Sequence, residues 1–206
     1  MDLRYWEQVL ADEEKRLGLD DGYKFVFGPW DTLNHAEIAF LSLNPGKCPD
    51  DFVKRTISDE RGNSYEVEQD TTISPITNQF LRLARLLGVA PRGVLAGVVA
   101  PFRSGQWNDF SKRQKDESLA LGRRFWMGPL KRPDLRLILV CSEEAAKLVV
   151  DVTGASFDIE TPAGWGNVKL RRYRCGGGKV VVHLPHLSRF RLLGRTQSEA
   201  ALREIL

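Results

Sequence analysis

The sequence is sparing with the residues on which the simplest metal and redox chemistries depend, having three cysteines and three histidines in 206 residues. Cys48, Cys141 and Cys175 are far apart and odd in number, which argues against a disulfide framework and against a CxxC metal site. Four thiolates for an iron–sulfur cluster are lacking. His35 precedes the first predicted strand, and no Cys/His spacing matches a zinc ligand set, so neither a metal nor another cofactor is expected. No GxxxxGK[ST] loop and no GxSxG elbow occur, and Gly176-Gly177-Gly178 falls between two predicted strands where a phosphate loop would need a strand and a helix. These absences remove simple nucleoside-triphosphatase and serine-hydrolase readings. No apolar run approaches membrane-spanning length, and Met1-Asp2-Leu3-Arg4-Tyr5-Trp6-Glu7 has acids where a signal peptide would be basic and then apolar. The expectation is a soluble, cytoplasmic monomer with no membrane partner.

Carboxylates are also missing locally. Residues 1–75 hold sixteen Asp/Glu against eight Lys/Arg, whereas residues 164–195 hold eight Lys/Arg and no carboxylate. A stretch of one sign attracts phosphates, with counterion release if the partner is DNA. An ordinary solvated basic face is the alternative.

What is present reads as one α/β domain over 1–206. Leu3, Trp6, Val9, Leu10 and Leu17 have helical spacing and stop at Gly18. The apolar run 37–43 is a buried strand that breaks at Asn44-Pro45-Gly46. Residues 47–73 are polar and read as a long loop. Ser74-Pro75 opens a helix that Gly88 closes, and 94–100 is a second strand. A helical stretch containing Leu119, Leu121, Phe125, Trp126 and Leu130 leads to a strand over 135–141 and a helix over about 142–150. Two strands, 167–174 and 179–184, are joined by the glycine turn, and Thr196-Gln197-Ser198-Glu199 is a capping-box pattern opening a last helix. The predicted architecture is three-layer α/β/α: a mainly parallel sheet of about four strands, helices on both faces, and an extra edge hairpin strand.

Two strand ends carry the candidate chemistry. At Asn44-Pro45-Gly46, proline fixes the turn, glycine permits close backbone approach, and Asn44 offers both an acceptor and a donor. A plain tight turn is the alternative. His186 lies two residues beyond the last strand, beside arginines that would keep it neutral and able to donate to an anionic leaving group. A structurally satisfied histidine is the other reading, and more so for His183, whose alternation points into the sheet. No His or Lys pattern near Cys48 suggests an activated thiol.

The order of these features resembles the uracil-DNA glycosylase superfamily: a strand ending in an Asn-Pro-Gly first motif, then helix, strand, helix, strand, and a last strand ending in a His-x-Ser second motif. Leu43-Asn44-Pro45-Gly46 with Asn78-Gln79-Phe80-Leu81 and Leu86-Leu87-Gly88 is similar to the mismatch-specific and thymine glycosylases. His186-Leu187-Ser188 is similar to the His-Pro-Ser motif of other branches, with leucine for proline. The resemblance implies hydrolysis of the N-glycosidic bond of a damaged or deaminated, uracil-type base after base flipping. It assigns Asn44 to the attacking water and His186 to the base carbonyl. Pro45, Gly46, Phe52, Tyr65 and Phe102 would shape the base pocket, the aromatics stacking on the base unless they are core. Asn108 would stand in for a base-reading asparagine that many members place at the end of the middle strand, where this chain has Val99-Ala100-Pro101. Ser188, Arg189 and Arg191 would grip phosphates and Leu187 or Phe190 wedge into the duplex gap. The implied partner is DNA, duplex or single-stranded, containing a modified base. The first motif lacks the acid that serves as general base in the fastest members, which keeps two alternatives open: an inactive nucleic-acid-binding module of this fold, and an enzyme acting on a free nucleoside or other small molecule.

Overall fold

The computed structural model describes residues 1–48, 53–68 and 74–206. The elements run α1 (Leu3–Arg16), α2 (Thr32–His35), β1 (Ile38–Ser42), α3 (Ser64–Val67), α4 (Pro75–Leu87), β2 (Leu95–Val98), α5 (Lys112–Trp126), β3 (Leu137–Cys141), α6 (Glu143–Thr153), β4 (Ser156–Pro162), β5 (Lys169–Arg174), β6 (Val180–Leu184) and α7 (Thr196–Ile205). The six strands form one sheet in the order β2-β1-β3-β6-β5-β4. The first four are parallel, and β5 and β4 add an antiparallel margin.

The parallel strands are apolar throughout because both faces are covered. Ala39 and Leu41 of β1 point into a core with Trp6 and Leu10 of α1, Phe125 and Trp126 of α5, and Val149 of α6. Phe40 points into the opposite core with Phe80 and Leu83 of α4 and Leu202 of α7. This is the expected α/β/α arrangement. The sheet has one strand more than the sequence suggests: β4 is an edge strand whose side chains are mostly exposed, so it lacks the alternation that marks a half-buried strand.

Helix α4 has the boundaries its caps dictate. Ser74 Oγ accepts from Thr77 N–H, Pro75 opens the helix, and Gly88 closes it at φ +68°. At α7 the capping-box expectation fails. Arg195 occupies the N-cap without a side-chain cap bond, and the Glu199 carboxylate instead accepts from Gly194 N–H at 2.7 Å. Helix α5 ends at Trp126, so Leu130 falls in a following 3₁₀ turn.

The free edge of β2 is covered by residues 23–27: Val98 N–H donates to Phe25 O and Phe27 N–H to Ala96 O. Gly122 lets α5 press on the end of β2, since a Cβ there would lie 1.6 Å from Val99 O. That contact fixes where the loop after β2 departs. No helix among the described residues is long and apolar enough to cross a membrane.

Candidate functional site

Chain order places β1 beside both β2 and β3, so the connections leaving β1 and β3 diverge at the carboxyl edge of the sheet and open a crevice. A cleft of about 1570 Å³ lies there. It exceeds the range of roughly 300–1,000 Å³ that serves small ligands. The loops after β1, β2, β3 and β6 line it, with residues 53–68 forming a wall.

Asn44, Pro45 and Gly46 leave β1 directly into this cleft. Asn44 Nδ2 donates to Ser104 Oγ at 2.9 Å and to Pro45 O at 3.1 Å. Ser104 is buried, and its hydroxyl donates to Gln106 O at 2.9 Å. A hydroxyl whose proton is committed can only accept from Asn44, which fixes the amide orientation. Asn44 Oδ1 therefore has no protein partner among the described residues and is an acceptor available to water or ligand. Gly46 O accepts from Arg103, and a Cβ at Gly46 would meet nothing within 4 Å. The glycine's openness is thus toward the cleft and not forced by packing. Ser104, which the sequence reading missed, is recognisable only once the loop after β2 is known to lie beside β1.

His186 stands exposed on the opposite side of the cleft, its Nδ1 2.6 Å from Ser188 Oγ. Partial desolvation of the ring, and then the Arg189 charge, push its pKa below the ordinary value, so the ring is neutral at pH 7. When Ser188 donates to Nδ1, the neutral ring carries its proton on Nε2, on the side away from that bond. His186 O accepts from both Arg189 N–H and Phe190 N–H. This tight turn inverts one expectation: Leu187 is fully buried in the core beneath α4 and α7 and is no wedge. Ser188, Arg189 and half-buried Phe190 line the cleft, while Arg191 is exposed beside it. Gln79 holds this loop from below, donating to Leu193 O at 2.9 Å and accepting from Leu193 N–H at 2.8 Å.

The strand between the two motif strands is β3, not β2. Val99, Ala100 and Pro101 are buried beyond β1 on the far side, so that segment does not stand between Asn44 and His186. Ser142 does. It is the one described non-glycine residue at positive φ (+95°), it caps α6 by accepting from Ala145 N–H, and it lines the cleft. Glu143, next in the chain, pairs with Arg171 at 3.1 Å and lies 3.9 Å from His183 Nδ1. Burial lowers the His183 pKa against the opposing pull of Glu143.

The wall holds a buried ionic cluster. Lys24 Nζ donates to Ser64 Oγ at 2.7 Å and lies 3.5 Å from Asp59, which Arg61 grips with two bonds. Burial lowers the Lys24 pKa, partly offset by Glu68 and Asp59. Burial would raise Asp59, but Arg61, Lys24 and Ser64 outweigh it and hold the carboxyl at about 2. The aromatic expectations fare unevenly. Tyr65 touches the cleft but packs among Phe27, Phe40 and Phe80, and burial raises its hydroxyl pKa. Phe102 is fully buried in the core beneath α1 and α5 and cannot stack on a ligand. Phe52 lies outside the described residues. Asn108 is at the rim, its carbonyl bound to Lys115 Nζ at 3.0 Å. Among the described residues no group of three or more His, Cys, Asp or Glu side chains could hold a metal.

The basic stretch divides in two. Asp158 of β4 pairs with Arg172 and Arg174, and Glu160 pairs with Lys169 and Arg171. Lys179 is buried and donates to Leu130 O. Arg189, Arg191 and Arg195 have no carboxylate partner among the described residues, so the uncompensated charge sits at the His186 side of the cleft. No protein-family model matches this chain, and no curated protein matches it in sequence.

Proposed function

We propose that the protein is a DNA glycosylase that hydrolyses the N-glycosidic bond of a modified, uracil-type base flipped into the cleft. The observation that carries this reading is the complementary pair across one cleft: an acceptor, Asn44 Oδ1, with its amide pinned by Ser104, and a neutral donor ring, His186. In the reaction the C1′–N bond breaks and its electron pair leaves with the base. Charge gathers on a base carbonyl, where His186 donates a hydrogen bond. Asn44 Oδ1 accepts from a water whose oxygen bonds C1′, and the water's proton leaves to neutralise the base. Ser142 Oγ, which accepts from Ala145 N–H, keeps its hydroxyl proton to donate to the base edge between them, a role that Asn108 at the rim does not take. The cleft's size, and the unpaired arginines on one rim, favour a polymer over a free nucleoside.

Oligonucleotides carrying uracil, hypoxanthine or a mismatched thymine, treated with protein and then alkali, test this. Cleavage at the modified position by the wild type, reduced about 10²-fold or more in Asn44→Ala and in His186→Ala, is expected. Salt-dependent binding without any cleavage would replace the enzyme with a binding module of this fold.

A further inference from the structure

Two large aromatic side chains near the cleft belong to neither core. Trp165 lies in the turn between β4 and β5, and Phe190 in the loop after β6; both are half-buried, and their rings meet edge to face at 6.2 Å. Arg195, from the N-cap of α7, lies 4.1 Å over the Trp165 ring. Three separate segments thus converge to hold apolar rings half-exposed at the surface, where burial stabilises them only in part. Phe190 lines the cleft, and Trp165 and Arg195 continue beyond it.

The register gives this trio a direction. Arg171 of β5 pairs with His183 of β6, so β5 begins, and the β4–β5 turn lies, at the carboxyl end of β6. Along that edge the strand ends bring Asn44 after β1, Ser142 after β3, His186 with Phe190 after β6, and then Trp165 before β5, while the loop after β2 crosses to Asn44 through Ser104. Trp107 also lines the cleft and carries a cation, Lys115, 5.9 Å from its ring centre. Three interstrand intervals of about 4.8 Å, from β1 to β5, make the row from Asn44 to Trp165 roughly 14 Å long. That is roughly four nucleotide steps at the 3.4 Å rise of a stacked strand.

We propose that Trp165 and Phe190, braced by Arg195, form a base-stacking shelf for single-stranded DNA, receiving the bases that flank the nucleotide held in the cleft, with Trp107 as the platform at the far end. The shelf rests on the reading of the cleft as a nucleotide site and does not require that the base be removed. Stacking platforms interleaved with cations suit a single strand, whose bases expose their faces, and gain nothing from a duplex whose bases are already stacked.

The test is equilibrium binding of a single-stranded oligodeoxynucleotide containing a tetrahydrofuran abasic analogue, and of the same strand in duplex. Trp165→Ala and Phe190→Ala should each weaken single-strand binding about tenfold, corresponding to ~1.4 kcal/mol per lost stack, with duplex binding changed less than about twofold. Trp165→Phe should restore most of the loss, and unchanged thermal unfolding of all three variants removes misfolding as the cause. Single-strand affinity equal to wild type in Trp165→Ala, or an equal loss for duplex, overturns the shelf. If wild type releases no base from any substrate while Trp165→Ala still loses single-strand affinity, the shelf stands and the glycosylase reading falls. If wild type releases base and Trp165→Ala binds normally, the shelf falls alone.

Discussion

Strand β5 carries four cations and the loop after β6 carries three, yet they end in different electrostatic states. Lys169, Arg171, Arg172 and Arg174 face Asp158 and Glu160 across the β4–β5 pairing, with Glu143 closing on Arg171 from α6. Arg189 and Arg191 meet no carboxylate among the described residues, and Arg195 rests on Trp165. A window count of charge therefore overstates the field. Register decides which cations are compensated, and here the compensating acids come from the strand least visible in the sequence. The consequence is that the positive charge left uncompensated among the described residues belongs to the rim bearing His186.

The loop's geometry depends on one buried clamp, so Gln79→Ala should cost about 2–3 kcal/mol of unfolding free energy by leaving Leu193 N–H and C=O unpaired, measured by chemical denaturation. An unchanged midpoint would mean that the loop is held some other way. Next, Arg189→Ala with Arg191→Ala should weaken single-strand binding about tenfold and flatten the dependence of log K on log salt by about 1.4, or 0.7 per phosphate contact. Arg172→Ala with Arg174→Ala should leave that slope as it is, because those cations are already compensated; equal effects of the two pairs would erase the distinction.

The histidines divide similarly, His183 deep beside β5 and His186 at the rim. Both have folded pKa values below the ordinary one, so the unfolded chain binds protons first and stability falls as pH drops below about 6.5. His183→Gln should flatten that fall more than His186→Gln, as read from thermal unfolding between pH 7 and 5, because His183 is the more buried. The smallest effect runs the other way. Asp158→Ala releases Arg172 and Arg174 and should slightly tighten DNA binding while steepening its salt dependence. Weaker binding would assign Asp158 a role other than masking.

Much of the frame is legible in the sequence because its signals are local. Ser74-Pro75 and Gly88 bound α4 through capping chemistry, and the continuous apolar runs of β1, β2, β3 and β6 announce strands buried on both faces. Asn44 and His186 are findable because each follows such a run. What escaped depends on the order of strands, which local pattern does not encode. Ser142 lies between the motifs only because β3 does, and Ser104 reaches Asn44 only because β2 flanks β1. Leu187 and Phe102 have the composition of ligand contacts, but the turn at His186 and the α1–α5 core draw them inward. Trp165 carried no signal at all, since nothing in residues 162–168 predicts that Arg195 and Phe190 will meet it.

On the proposed reading, Asn44 and His186 act on one nucleotide in one cleft. Single-turnover base release from whichever oligonucleotide supports cleavage, single-stranded or duplex, measured for wild type, Asn44→Ala, His186→Ala and the double variant, tests it most directly. Each single variant should lose about 10²-fold or more, and the double variant much less than the product, because both residues would serve the same bond cleavage. Wild-type rates in either single variant would contradict it.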